Sequence, residues 1–358
     1  MGGRATGAGG RARADTPLGG VLVAGHVAFT SMGESVRMAA TRHRLPTADH
    51  SPSEARPTYL TTGRPVVLAH RGFAPDGGEN SMAAFDAAVA LGCEYVETDV
   101  HTTTDGVVVA FHDESLERVT DSAGLVDDLP WEVVRAARIT GGHPIPTLAE
   151  LLQRHPTLRV NIDLKSDTAV EPTVAVIERL GAHDRVLVTS FDDRRRRRAL
   201  ALLSRPVATS AGERTTALMW AASRLLVLAA GVGVVTAEWR RGRVARLGRQ
   251  VAGTLESLAH RAISAVSRGV DAYQVPEHFR GIRVVDDAFL DAAHLAGAHV
   301  HVWTVNEVAD MERLLDLGVD GIVTDRADRM VDLLRARGEL PGPSSALSPA
   351  TRPRWCRR

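Results

Sequence analysis

The stretch from Glu94 to Asp113 holds the residues with the clearest chemical potential. Glu97 and Asp99 stand two positions apart in an apolar, β-branched run. Residues i and i+2 of a strand point to the same face, so a strand over residues 95–100 sets the two carboxylates side by side. Neighbouring carboxylates repel each other unless a cation lies between them, so the pair predicts half of a divalent-metal site. The alternative is an edge strand whose acids face water, and these residues alone leave both interpretations open.

Other chemically capable side chains stand at or just beyond the ends of apolar runs that have the composition of strands. In α/β barrels the chemistry is located at the carboxyl ends of the strands, so these side chains are expected at one mouth. Together with the Glu97 and Asp99 pair, the candidates are His70, Arg71, Glu79, His112, Asp163, Lys165 and Trp303.

The types of these side chains predict a reaction class. Hard oxygen ligands select Mg²⁺ or Ca²⁺, whereas zinc prefers histidine or cysteine, and the two histidines leave zinc open. Arg71 and Lys165 suit an anionic substrate, phosphate above all. His70 and His112 suit an acid–base pair. A metal, two cationic side chains and two histidines together predict a hydrolase that performs phosphoryl transfer.

The elements that must position these residues alternate between strands and helices. Five residues between the 95–100 and 107–111 runs are too few for a parallel crossover, and Asp105-Gly106 is a hairpin signal, so these two runs are predicted to pair antiparallel. Discounting that arm leaves eight parallel strands separated by helices, which predicts a (β/α)8 TIM barrel. The strands are predicted at residues 66–70, 95–100, 107–111, 159–164, 186–190, 207–210, 272–275, 299–305 and 321–324.

Local signals also predict several helices. A stripe of Met82, Phe85 and Val89 indicates a helix that Asn80 or Ser81 caps and Gly92 ends. Residues 147–150 form a capping box that opens another helix, which is expected to end near Gln153. The five arginines at 194–198 are predicted to form a solvated helix face, with an anionic partner as the alternative.

The chain divides into four predicted segments. Residues 1–62 are interpreted as a disordered arm, or as an upstream extension with Met32 or Met38 as alternative starts, and residues 336–358 as a disordered tail. A catalytic domain is predicted over residues 63–335, with a helical insertion at 215–265. The apolar run 218–235 carries Arg224 and several glycines, so it falls short of a clean membrane span. Helices laid over the barrel are expected, with a membrane-touching lid as the alternative.

Composition excludes some partners. The net charge is zero and aromatic residues make up only 4% of the chain, which argues against nucleic acid and against general attraction to acidic membranes. Of the two cysteines, Cys93 is expected to be an inert buried thiol and Cys356 lies in the polar tail. No disulfide framework is therefore predicted, and a reducing, cytoplasmic location is expected. The sequence does not fix the oligomeric state.

An ordered set of short motifs carries a family resemblance. Over residues 66–335 the chain resembles the glycerophosphodiester phosphodiesterases, which are phospholipase C-like TIM barrels. Single motifs are weak, but their order is specific. The motifs are His70-Arg71-Gly72, Glu79-Asn80-Ser81, Glu97-Thr98-Asp99, Asp105-Gly106, His112-Asp113, 145–148, 161–165, Ser190-Phe191, 303–306 and 318–325.

The resemblance implies an activity and a role for each candidate. The expected reaction is the hydrolysis of a glycerophosphodiester to an alcohol and sn-glycerol 3-phosphate with a divalent cation, Mg²⁺ or Ca²⁺. At position 163 the family usually has glutamate, and the shorter aspartate here would shift the ion, add a water or change the preferred metal. The implied roles are metal ligation for Glu97, Asp99 and Asp163, general base and acid for His70 and His112, phosphate contact for Arg71 and Lys165, support near the metal for Glu79, and packing against glycerol for Trp303.

Two alternatives to this activity remain. One is a lysophospholipase D-like enzyme that acts on lysophospholipids, which the apolar run in the insertion favours. The other is a non-catalytic phosphate-binding barrel, against which the two intact histidines argue. In every case the expected partner is a small molecule.

Overall fold

The computed structural model describes residues 58–60, 63–237 and 243–340. Its strands are β1 (Val66–His70), β2 (Tyr95–Thr102), β3 (Val108–Ala110), β4 (Arg138–Ile139), β5 (His143–Pro144), β6 (Arg159–Leu164), β7 (Val186–Thr189), β8 (Ala208–Thr209), β9 (Ala272–Pro276), β10 (His278–Phe279), β11 (Ile282–Arg283), β12 (His299–Trp303) and β13 (Gly321–Thr324). Its α-helices are α1 (Met82–Leu91), α2 (Trp131–Val134), α3 (Leu148–Arg154), α4 (Val170–Leu180), α5 (Asp193–Leu202), α6 (Glu213–Ala237), α7 (Arg243–Val266), α8 (Asp287–Leu295), α9 (Val308–Leu317) and α10 (Ala327–Ala336).

Eight parallel strands form the predicted barrel. They follow one another in the order β8, β7, β6, β2, β1, β13, β12 and β9. An isolated parallel bridge between Ser210, which follows β8, and Ala272 on β9 connects the two ends of this order, so the barrel is nearly closed. The strand β3 lies outside the barrel and pairs antiparallel with β2, as the Asp105-Gly106 turn predicts. The (β/α)8 prediction is therefore confirmed, including its extra antiparallel arm.

Two apolar layers hold the barrel together. The interior is filled by a small cluster that includes Tyr59, Leu68, Tyr95 and Leu187. The larger cluster lies between the outer faces of the strands and the surrounding helices. Tyr59 belongs to a short 3₁₀ helix, Thr58–Leu60, and its main-chain oxygen accepts a hydrogen bond from Tyr95 Oη at 2.6 Å. These three residues fall within the arm expected to be disordered, and they are ordered here because Tyr59 is buried in the barrel interior.

The predicted helix signals match the observed helix ends. Ser81 caps α1 by accepting a hydrogen bond from the Ala84 main chain, and Gly92 ends the helix in the left-handed region. Thr147 and Glu150 form the capping box of α3, which ends one residue later than expected.

The arginine-rich helix α5 differs in part from its prediction. Arg194 and Arg197 are exposed as expected, but Arg196 is buried. Its guanidinium donates to Asp193 at 3.3 Å and to the main-chain oxygen of Gly269 at 3.3 Å. These partners offset the cost of burying the charge.

The predicted insertion consists of two long helices. The helix α6 packs against α7 and α8, and Arg224 on α6 forms a two-pronged ion pair with Asp286, the N-cap of α8, at 2.7 and 2.8 Å. The short hairpins β4–β5 and β10–β11 were not predicted, since two-residue strands carry no readable periodicity.

Most of the predicted terminal segments lie outside the described residues. The alternative starts Met32 and Met38 and the residue Cys356 are among those not described. In the predicted tail, residues 336–340 are described, and Arg337 pairs with Asp316 at 3.0 Å. Cys93 is buried as expected, and burial raises the pKa of its thiol to about 12, which favours the unreactive protonated form.

Candidate active site

The carboxyl ends of the strands surround one cavity of 680 Å³. Eight of the nine residues singled out from the sequence line it: His70, Arg71, Glu97, Asp99, His112, Asp163, Lys165 and Trp303. The ninth, Glu79, lies just behind the cavity wall and contacts Arg71. Residues at the carboxyl ends of barrel strands are expected to converge at one mouth, and these residues do so.

Strand register places the acidic residues. Asp99 on β2 is directly opposite Asp163 on β6, and Glu97 on β2 is opposite His70 on β1. All three carboxylates are buried, with exposed fractions of 7%, 2% and 6% for Glu97, Asp99 and Asp163. The prediction that the strand presents its acids to one face is therefore confirmed, and the alternative of an edge strand facing water is excluded.

Two cations neutralise this cluster. The Lys165 ammonium lies between two carboxylates, 2.8 Å from Asp99 Oδ1 and 2.7 Å from Asp163 Oδ2. Arg71 Nε is 3.1 Å from Asp99 Oδ2. Glu97 has less compensation, since its close partner is the main-chain N–H of Arg71, which donates to Oε2 at 3.2 Å.

The pKa values follow this distribution of charge. Burial and the neighbouring Asp99 raise the pKa of Glu97 to about 7. Burial also raises the pKa of Asp163 to about 6, against the attraction of Lys165. At Asp99 the charges of Lys165 and Arg71 outweigh burial and hold the pKa below its usual value. At Glu97 and Asp163 the cations already present therefore do not fully offset the cost of burying the charge.

The donor set fits a hard divalent cation. Three carboxylates supply oxygen ligands of the type that Mg²⁺ and Ca²⁺ prefer. The buried Asp163 Oδ1 has no hydrogen-bond partner, and neither has Oδ1 of the adjacent Asn161. Among the described residues, no three His, Cys, Asp or Glu side chains are grouped closely enough to hold an ion, and the Lys165 ammonium lies between Asp99 and Asp163.

Each histidine is held through Nδ1. His70 Nδ1 is 2.6 Å from Asp325 Oδ1, and its Nε2 is 3.9 Å from Glu97 Oε2. Burial lowers the pKa of His70, but the bond to Asp325 and the charge of Glu97 outweigh it and raise the pKa above its usual value. Asp325 in turn accepts from Asn306 Nδ2 at 2.8 Å.

His112 has the opposite pKa shift. Its Nδ1 is 2.6 Å from Asp113 Oδ1. Burial lowers its pKa, and the nearby cations Arg71 and Lys165 add to that effect, so the pKa lies below its usual value despite Asp99 and Asp113. The two imidazoles thus differ in the direction of their pKa shifts, although both line the cavity.

A chain of ion pairs supports the site from behind. Glu79 Oε1 accepts from Arg71 at 2.8 Å and from Arg118 at 2.7 Å. Arg118 also pairs closely with Asp113, the partner of His112. Glu79 is thereby linked to Arg71, the candidate phosphate contact, and through Arg118 and Asp113 to the ring of His112. A supporting role of Glu79 near a metal stays a prediction, and its contacts in the structure are with Arg71 and Arg118.

The loop after β1 is held in an unusual backbone conformation. Arg71 and Asn80 have φ values of 54° and 55°, a left-handed region that few non-glycine residues adopt. Their main chains are joined, since Asn80 N donates to Arg71 O at 2.9 Å. The Asn80 side chain donates to Asp99 at 3.2 Å and accepts from Thr98 at 2.7 Å. Backbone strain of this kind is concentrated at functional sites.

Aromatic and apolar side chains also line the cavity. Trp303 and Phe191 meet edge to face at 5.9 Å between ring centres, and Lys165 lies over the Phe191 ring. The helix α6 and the β10–β11 hairpin add Trp220, Phe279 and Ile282, together with the polar residues Glu213, Thr216 and Arg280.

Several supporting residues were not singled out from the sequence. These are Asn80, Asp113, Arg118 and Asp325. Three of them stand within the quoted motifs, so position in a motif was the available signal. Arg118 lies outside the motifs, and only its ion pairs reveal its place.

Comparisons with known proteins agree with this architecture. The model of the glycerophosphoryl diester phosphodiesterase family matches residues 70–329. A relative from Mycobacterium tuberculosis named "Probable glycerophosphodiester phosphodiesterase 2" is 44% identical over 286 residues, which cover 79% of this chain and 96% of the relative.

Two solved structures share the fold. One, from Silicibacter pomeroyi and assigned to the same family, has a TM-score of 0.58 at 22% identity and covers 79% of this chain and 97% of its own. The other, an Oleispira antarctica phosphodiesterase in complex with the product sn-glycerol-3-phosphate, has a TM-score of 0.54 at 20% identity and covers 76% and 97%. With the family match over residues 70–329, the conclusion is that this chain belongs to the glycerophosphoryl diester phosphodiesterase family.

Proposed function

We propose that this enzyme hydrolyses glycerophosphodiesters to an alcohol and sn-glycerol 3-phosphate with a divalent cation and two histidines. The observation that carries the proposal is that His70 and His112 line the same cavity as three carboxylates and two cations. The Oleispira antarctica phosphodiesterase, whose structure shares this fold, is described in complex with the product sn-glycerol-3-phosphate. A glycerophosphodiester is therefore the proposed small-molecule substrate.

A divalent cation would be held by Glu97, Asp99 and Asp163. When bound, it supplies Lewis-acid neutralisation of the phosphodiester charge. Two observations support this placement: the raised pKa values of Glu97 and Asp163, and the missing hydrogen-bond partner of Asp163 Oδ1. A bound cation would stabilise the ionised carboxylates and would give Asp163 Oδ1 a partner. Arg71 and Lys165 contribute further positive charge toward the phosphate oxygens.

We assign the base to His112 and the acid to His70. His112 has a lowered pKa and is neutral near pH 7, so its Nε2 can accept a proton while Nδ1 donates to Asp113. His70 has a raised pKa and retains a proton that it can give to a leaving alcohol. This assignment reverses the order that the family resemblance implies, and the pKa directions are the reason for it.

The proposed reaction proceeds in two steps. The base removes the proton of the glycerol 2-hydroxyl, its oxygen attacks phosphorus, and the acid protonates the departing alcohol oxygen. Water then opens the cyclic phosphate with the two histidines in exchanged roles. Trp303 beside the charged cluster offers an apolar face for the glycerol carbons.

The test is a turnover assay with glycerophosphocholine and detection of released glycerol 3-phosphate. We expect His70→Ala and His112→Ala each to lower kcat by roughly 10²–10⁴-fold, the usual range for acid–base catalysis. His278→Ala, an exposed histidine outside the cavity lining, is the matched control. EDTA should abolish turnover, and added Mg²⁺ or Ca²⁺ should restore it. Full activity in EDTA would remove the metal from the proposal.

A second candidate substrate is a lysophospholipid. The apolar part of the cavity lining, with Trp220, Phe279 and Ile282, favours it because an acyl chain could occupy that surface. Comparing lysophosphatidylcholine with glycerophosphocholine separates the candidates by kcat/KM. For location, we propose a reducing compartment, with the buried free thiol of Cys93 as support.

A further inference from the structure

The two helices of the insertion carry six of the fifteen large apolar residues that are exposed in the described part of the chain. The segment Glu213–Val234 of α6 is long and apolar enough to cross a membrane, yet only 22% of it is buried in the protein. Its inner side is fixed to the barrel by Met219, Ala222 and the Arg224–Asp286 ion pair. A helix held in this way lies along the protein surface, so its outer side is available at an interface and the helix does not span a bilayer.

The exposed apolar residues of α7 form a stripe. On α7, Leu247, Val251 and Leu258 lie at positions i, i+4 and i+11, which share one helix face. The buried residues Ala259 and Ile263 lie on the opposite face.

The helix α6 has no such stripe. It exposes Leu218, Leu228 and Val234, but the buried Ala222 and Ala229 lie four and eleven positions after Leu218, on the same side of the helix. We call the exposed side chains of α7, Leu247, Val251 and Leu258, the hairpin stripe.

Positive charge accompanies the hairpin stripe. The helix α7 carries four arginines and one glutamate. Arg243, Arg246 and Arg261 are exposed and lie beside the stripe, and none forms an ion pair with another described residue. An amphipathic helix with arginines on its polar face and leucines on the other is typical of elements that lie in a membrane interface.

The partner helix α6 reaches the mouth of the cavity. Its Trp220 lines the cavity and donates to the main-chain oxygen of Arg283 at 3.4 Å. That contact ties α6 to the β10–β11 hairpin, where Phe279 and Ile282 both line the cavity and are about half exposed. The packed helix pair α6 and α7 therefore borders the opening of the active site through α6.

We propose that α6 and α7 dock on the surface of an anionic phospholipid bilayer. The hairpin stripe inserts among the upper acyl carbons, and Arg243, Arg246 and Arg261 contact the acidic headgroups. The whole chain has no net charge, whereas α7 carries four arginines and one glutamate. This local positive charge favours an acidic membrane surface over a neutral apolar partner. Docking is independent of turnover and goes beyond the proposed function.

The test is co-sedimentation of the full chain with sucrose-loaded vesicles. One set contains phosphatidylcholine alone, and the other contains equal parts of phosphatidylcholine and phosphatidylglycerol. We expect binding to the mixed vesicles that weakens as salt rises. Replacing Arg243, Arg246 and Arg261 by Gln should reduce partitioning about fivefold per residue, or about a hundredfold together. Leu247→Asn with Leu258→Asn should reduce it by at least about tenfold.

Matched controls carry the same changes elsewhere on the surface. Gln at Arg179, Arg194 and Arg197, and Asn at Leu202 and Leu295, alter exposed residues outside the insertion and should leave binding unchanged. Circular dichroism checks that each variant is folded, and turnover of soluble glycerophosphocholine should stay at the wild-type level in all of them.

Three outcomes would overturn the proposal. The wild-type chain could remain in the supernatant with both vesicle sets. The insertion variants could lose no more binding than their controls. A concentration-dependent dimer that the Leu247 and Leu258 changes disperse, without any vesicle binding, would assign the hairpin stripe to a second copy of the chain.

Discussion

The two histidines of the site are distinguished by their carboxylate partners, and this difference predicts the pH dependence of catalysis. If His112 is the base, activity rises as pH passes upward through its lowered pKa. If His70 is the acid, activity falls as pH passes through its raised pKa. Asp325→Asn removes a hydrogen bond that raises the pKa of His70, so the alkaline limb of the kcat/KM profile should move to lower pH. The acid limb should stay in place.

A complementary variant acts on the other limb. Asp113→Asn removes a bond that raises the pKa of His112, so the acid limb should move to lower pH while the alkaline limb stays. Both limb positions are measured from pH profiles of kcat/KM at saturating divalent cation. Movement of the acid limb in Asp325→Asn would show instead that His70 is the base, as the family resemblance implies.

In the proposed function, the charge of Asp163 contributes to how strongly the divalent cation is held. Asp163→Asn keeps the size of the side chain, removes its charge and leaves Lys165 with Asp99 as its remaining carboxylate partner. We expect the cation concentration for half-maximal activity to rise about tenfold or more, since changes even outside the ligand shell have effects of that size. Metal titration of activity measures this. Asp167→Asn, an exposed neighbour, should titrate like wild type, and an equal titration by Asp163→Asn would exclude this side chain as a ligand.

At the scale of residues, the sequence predicted which side chains meet but not what holds them. Glu97, Asp99 and Asp163 could be placed because strand periodicity and register decide where their carboxylates point. The partners Asp325 and Arg118 could not, because the contact of His70 with Asp325 joins residues 255 positions apart and Arg118 reaches Glu79 through a flexible side chain. Local periodicity carries no information on such contacts.

At the scale of elements, the first loop is fixed by a close approach of backbone to backbone. Gly72 has φ 83°, and an added Cβ would lie 2.7 Å from the main-chain carbon of Ala84 on α1. Gly72→Ala should therefore lower the free energy of unfolding by about 2–5 kcal/mol, from backbone strain together with overpacking. Chemical denaturation of the two proteins measures the difference.

The control for this change separates its two causes. Gly106 has φ 84° and no atom within 4 Å of an added Cβ, so Gly106→Ala carries the backbone strain alone. Its expected cost is about 1–2 kcal/mol. Equal costs for the two variants would show that α1 moves aside and that the approach to Ala84 is not tight.

Elements were predicted well where an apolar period or a cap marks them. The ends of α1 could be read from Ser81 and Gly92, because capping chemistry is local. The β10–β11 hairpin was missed because its strands have two residues each and depend on packing beside α6. The insertion could be predicted as helical, but its attachment depends on the Arg224–Asp286 pair, which no sequence period reveals.

At the scale of the whole molecule, the site reduces the stability of the fold that carries it. Glu97 is buried with a pKa raised to about 7 from an ordinary 4.5. Between these values the folded chain retains a proton that the unfolded chain has lost. The free energy of unfolding contributed by this group therefore falls as pH rises from 4.5 to 7 and is level above that range.

Glu97→Gln isolates this effect, because the amide keeps an oxygen that can accept from the Arg71 main chain and cannot ionise. In EDTA, we expect the thermal midpoint of the variant to exceed that of wild type. The difference between the two midpoints should grow as pH rises from 4.5 to about 7 and should stay constant above that range. Mg²⁺ or Ca²⁺ at pH 8 should raise the wild-type midpoint more than that of the variant, because a bound cation favours the ionised carboxylate. Glu312→Gln on the exposed side of α9 should follow wild type throughout. A margin that does not change with pH would mean that Glu97 is already ionised in the folded chain below pH 5, with the charge of His70 or Lys165 sufficient to hold it so.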